Sequence, residues 1–143
     1  MLPRNGHHKS QLAKAEATLQ EMEAKLQQTR AVLEDRQRER RQMQAMEQKL
    51  RDTGDINKLV KFQARAFAMD KAIQELKTRE QDAERQIESA RRYLYTLYVK
   101  LERLRQEAAA FAVRSYAGPA LPPEEQANLR RLHLQIQAIT GAE

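Results

Sequence analysis

Leucine occupies every seventh position from residue 12 to residue 33 (Leu12, Leu19, Leu26, Leu33), with Ala15, Met22 and Thr29 between them. Spacing of three and four residues gathers side chains on one face of a helix and is the pattern of a coiled-coil seam. The stripe falters at Arg36 and Arg40 and resumes with Met43 and Leu50. A longer stripe follows: Leu59, Phe62, Ala66, Met69, Ile73, Leu76, Glu80, Ala83, Ile87, Ala90, Leu94, Leu97, Leu101, Leu104, Ala108 and Phe111. Only Glu80 in that series is polar. At the rise of an α-helix, the first stripe predicts a helix of about 60 Å and the second one of about 80 Å.

Two breaks interrupt these patterns. The first, "LRDTGDINKL" (residues 50–59), contains Asp52-Thr53-Gly54, a triplet that carries the catalytic carboxylate in pepsin-like proteases. That chemistry needs two such carboxylates paired in a β-rich framework, whereas this triplet occurs once, between two helical patterns. Gly54 suits the left-handed residue that ends a helix, and Asp55 suits the cap that starts the next. The triplet is read as a turn. The second break, "SYAGPALPPEEQ" (residues 115–126), combines Gly118 with Pro119, Pro122 and Pro123 and places Glu124 and Glu125 at a helix start, where the dipole favours acids. Leu129, Leu132, Ile136 and Ile139 then resume the spacing in a short third helix.

A short connection between helices favours an antiparallel hairpin. Folding about residues 52–55 sets Leu33 near Gln74, Leu26 near Gln81, Leu19 near Glu88 and Leu12 near Tyr95. Helix one then ends before helix two does. Turning back at the Pro-rich loop lets helix three cover the remainder, with Leu129 and Leu132 facing Leu104 and Ala108, and Ile136 and Ile139 facing Leu97 and Leu101. The expected fold is all-α: a long antiparallel two-helix coiled-coil hairpin, with a short third C-terminal helix folded back on helix two and end to end with helix one. The expected divisions are a mobile N-terminus (1–10), the hairpin (11–114, turn near 52–55), a Gly/Pro loop (115–123) and the C-terminal helix (124–140).

A two-helix seam leaves apolar area half exposed, and such surfaces are often completed by self-association or by a partner helix. Two regions stand out as candidate partner-binding sites. Near the hairpin tip, Ile56, Val60 and Phe67 lie off the main stripe. In "RRYLYTLYVK" (residues 91–100), Tyr93, Tyr95 and Tyr98 surround Leu94 and Leu97. Tyrosine combines large contact area with a polar tip and is enriched at interface hot spots. Tyr93 and Tyr98 flank the seam, so shielding it is an equally open reading. Tyr95 lies farther from the stripe and is the better partner clue. Arg36, Arg40 and Glu80 would fix register if buried; the favoured reading is that the long arginines snorkel to solvent.

Composition narrows the function. Charged residues make up 32% of the chain and aromatics 5%, with mean hydropathy −0.85, which suits a narrow helical seam better than a thick globular core. The net charge of +6 is dispersed over both halves, so it mainly solvates helix surfaces. "EDRQRERR" (residues 34–41) could touch phosphate through Arg36, Arg38, Arg40 and Arg41, but Glu34, Asp35 and Glu39 cancel most of that field. A basic helical nucleic-acid binder is therefore a lesser alternative. There is no cysteine, no Gly-rich phosphate loop and no apolar run of membrane-spanning length. His7 and His8 adjoin each other and His133 stands alone, none with metal-cluster spacing. The expectation is a non-enzymatic protein without cofactor, metal or small-molecule substrate, located in the cytoplasm, whose partners are other helical proteins or further copies of itself.

The two long helices, the mid-chain break and "FQARAFAMDKAIQ" (residues 62–74) together resemble the flagellar FliJ and type III secretion YscO-like proteins. Phe62, Met69, Lys71, Ala72 and Ile73 stand at places comparable with that family's anchors and its "K-A-I" stretch. Arg65 replaces an expected apolar or aromatic residue, and the Pro-rich loop and third helix depart from a simple hairpin. The resemblance implies a soluble stalk of an export apparatus that acts at a ring ATPase and an export gate and engages export chaperones. It is the alternative to the broader expectation of a structural or adaptor subunit that spaces or bridges partners.

Overall fold

The computed structural model describes residues 10–117 and 121–141, apart from the side chains of residues 115–117. Three helices follow one another: α1 (Gln11–Thr53), α2 (Ile56–Ala117) and α3 (Pro123–Thr140). Helices α1 and α2 pack on each other as a hairpin and α3 packs on α2, so the expected all-α hairpin with a short third helix is the fold. The expected N-terminal segment, with His7 and His8, lies outside the described residues except for Ser10, as does part of the Gly/Pro loop (residues 118–120).

The sequence accounts for each boundary. Ser10 starts α1: its hydroxyl accepts a hydrogen bond from the Ala13 N–H at 3.0 Å, and its carbonyl accepts from Lys14. Thr53 donates its hydroxyl back to the Leu50 carbonyl at 2.8 Å as α1 ends, and Gly54 takes a φ of 74°. A side chain at that φ would be strained, so glycine is what the turn requires. Asp55 then caps α2, its carboxylate accepting from the Lys58 N–H at 3.1 Å. Asp52, the acid of the protease-like triplet, accepts from the Gln48 amide one turn earlier in its own helix. At α3, Pro123 occupies the first turn with Glu124 and Glu125, and Gly141 closes the helix with φ 74°.

The described residues divide into two compact units, one of residues 21–87 and the other of residues 10–20 with 88–117 and 121–141. In the second, Leu101, Leu104, Leu132 and Ile139 form a buried cluster, against which Leu12, Ala108, Phe111 and Ile136 pack. Thus the three helices share one core there, as the stripes require. Ser10 and Gly141 also meet: a Cβ built on Gly141 would lie 3.1 Å from that of Ser10, so the start of α1 abuts the end of α3. Arg114 links α2 to the first turn of α3 by donating to Glu125 at 2.8 Å, with its guanidinium 4.4 Å from the centre of the Phe111 ring.

In the unit of residues 21–87, cross-helix ion pairs reveal the register. Arg30 donates to Glu80 and to Glu84, each at 3.1 Å, and Arg40 donates to Asp70 at 2.7 Å. The Arg30–Glu80 and Arg40–Asp70 links are ten residues apart on both helices, in opposite senses. An antiparallel pairing without slippage between them follows. It lies within one turn of the register expected from folding about residues 52–55.

Candidate interaction surfaces

The second stripe holds throughout: every residue from Leu59 to Phe111 in that series is buried or partly buried. The first holds except at Arg36, which is exposed and pairs with Glu39 of its own helix at 3.1 Å. Gln37 is the partly buried residue at that level instead. Arg40 also departs from expectation. Its side chain is only 20% exposed and does not snorkel, because Asp70 meets it from α2. Hydrogen bonding to that carboxylate raises the Arg40 pKa above its ordinary value, against the opposing effect of burial. The Nη1 atom of Arg40 is nonetheless buried without a hydrogen-bond partner. Glu80 is met by Arg30, so both of these polar seam positions are compensated from the facing helix.

Beyond Leu33 on α1 and before Ile73 on α2, the only buried side chain is Ala66, 3% exposed. Met43, Leu50, Leu59, Phe62 and Met69 are partly rather than fully buried there. The cause is an imbalance between the facing helices. Gln37, Arg40 and Glu47 occupy inward positions on α1, while α2 offers Leu59, Phe62, Ala66 and Met69. The distal third of the hairpin thus carries more apolar surface than its own seam can close.

The predicted partner-binding residues are all exposed. Ile56 and Phe67 are each 72% exposed, and Val60 is exposed with them. Helical spacing puts these three on one flank of α2, away from the seam. In the three-helix unit, Tyr95 is 70% exposed, and Tyr93 and Tyr98 are about half exposed beside the buried Leu97. Exposed Val99 follows Tyr95 by one turn. The arginines considered for phosphate are largely committed: Arg36, Arg38 and Arg40 pair with Glu39, Asp35 and Asp70.

One feature escaped sequence reasoning. Met43 and Met46 of α1 and Phe62 and Met69 of α2 line an open groove of about 360 Å³, edged by Glu39, Gln42 and Arg65. Three of the four apolar residues belong to the seam stripes, and what marks them as a surface is their incomplete burial. Among the described residues, no three side chains converge as a metal site, and no helix is long and apolar enough to cross a membrane. Compared with protein-family models, curated proteins and solved structures, the chain finds no match.

Proposed function

We propose that this chain is a non-enzymatic helical adaptor that bridges or spaces other proteins within a larger assembly. The observation that carries the reading is large apolar side chains left in solvent in both compact units: Ile56, Val60 and Phe67 in one, and Tyr93, Tyr95 and Tyr98 in the other. Scattered exposed apolar residues are ordinary, but aromatic and branched side chains grouped on a helix flank mark surfaces that partners cover. A helix face of this kind is recognised by another helix through residues spaced three and four apart. The export-stalk reading is a special case of the same proposal. It adds a ring ATPase and an export gate as the assembly, on the strength of residues 62–74.

The test is quantitative capture from the native cell at moderate salt, with the tag at the N-terminus. The expected result is a set of proteins at fixed stoichiometry, lost when Tyr93, Tyr95 and Tyr98 are replaced together by alanine while far-ultraviolet circular dichroism keeps its helical signal. A chain recovered alone, or a triple variant that loses its helicity, overturns the assignment of these tyrosines to a partner surface.

A further inference from the structure

We infer that the methionine-lined groove near the hairpin tip is a docking site for an acidic amphipathic helix of another protein. This rests on the adaptor reading and gives one of its partners a chemistry. The groove is built from one heptad of each helix, Glu39 to Met46 on α1 and Phe62 to Met69 on α2. That length accommodates about two helical turns of a ligand, roughly 10 Å, and so two or three apolar anchors spaced three or four residues apart. Methionine is unbranched and polarisable, and it moulds to such anchors better than leucine or valine does.

Charge selects the occupant. Arg65 stands on the rim, and Lys61 lies one turn before it on the same face of α2. Lys49 lies one turn beyond Met46 on α1. None of these three cations has an ion-pair partner among the described residues. The rim's acid, Glu39, is already held by Arg36 at 3.1 Å. An approaching helix therefore meets an apolar floor between uncommitted positive charges. Carboxylates flanking its apolar stripe would be attracted there and ammonium groups repelled. The tip of a second copy would bring the same cations to the same place, which disfavours that occupant.

The probe is a fluorescein-labelled designed peptide of about 21 residues, three heptads, with leucine along one stripe and glutamate on both flanks. Its twin carries lysine in place of glutamate. Binding to the full chain is followed by fluorescence anisotropy at low and moderate salt. The glutamate peptide is expected to bind at least about tenfold more tightly than its twin. Met46→Glu should weaken it about tenfold, and K61E/R65E should reverse the preference between the peptides. Met46, Lys61 and Arg65 are all exposed, so circular dichroism should show these variants folded. Equal binding of both peptides, binding of neither, or indifference to the substitutions overturns the inference. So does self-association in sedimentation equilibrium that Met46→Glu abolishes, since a second copy would then fill the groove. Capture with the same variants separates this from the wider proposal. A complex that survives Met46→Glu and K61E/R65E leaves the adaptor standing and removes the groove. Failure to capture any partner with the unaltered chain removes the adaptor itself.

Discussion

Arg40 shows how one residue can be misjudged from sequence and explained by its surroundings. A long cation at a two-stranded seam has an easy route to water, and Arg36 takes it. Arg40 does not, because the antiparallel register delivers Asp70 to it at 2.7 Å. That information resides in the pairing of two helices and in neither helix alone. The pair is partly screened, with Asp70 55% exposed, so its net contribution is modest. Asp70→Ala should cost about 1 kcal/mol in urea denaturation, mainly by leaving the Arg40 charge uncompensated. Arg40→Met should be neutral or stabilising by up to about 1 kcal/mol, since it also removes the orphaned Nη1. A loss on Arg40→Met as large as that on Asp70→Ala would show the ion pair to be a net source of stability. No pH dependence near neutrality follows from Arg40. A cation with a raised folded-state pKa gives its full contribution below the unfolded value, and loses it only as pH climbs through the folded one.

At the scale of elements, the three- and four-residue spacing was enough to place each helix and nearly every inward residue. Capping chemistry placed the ends: Gly54 and Asp55 do what a glycine and an aspartate between two helices should do. Ser10 falls within the N-terminus expected to be mobile, although a serine just before an amphipathic run is a sequence-level start signal. Its role becomes evident once the third helix brings Gly141 against it. The two units also differ in how well they are closed. Ile139 is 1% exposed within the three-helix cluster, so Ile139→Ala should cost about 3 kcal/mol through lost burial and a residual cavity. Met46→Ala, at a half-exposed site, should change stability by no more than about 0.5 kcal/mol. Similar losses at the two sites, compared by thermal unfolding, would contradict this division of core and surface. The groove itself was not legible in the sequence. Periodicity identifies which residues point inward, but not whether the facing helix has enough apolar bulk to cover them.

For the molecule as a whole, lysines already present beside the candidate surfaces can report where partners sit. Lys58 and Lys61 accompany Ile56 and Val60, and Lys100 follows Tyr98 and Val99; Lys77 lies ten residues after Phe67 and sixteen before Tyr93, and Lys25 faces α2 near residue 85, before the tyrosines. The most direct test is amine cross-linking of the captured native complex, with mass spectrometric assignment of the links. The adaptor account predicts that intermolecular links concentrate at Lys58, Lys61 and Lys100, and that Lys25 and Lys77 remain largely unlinked to partners. Links distributed evenly over all five, or gathered at Lys25 and Lys77, would contradict it.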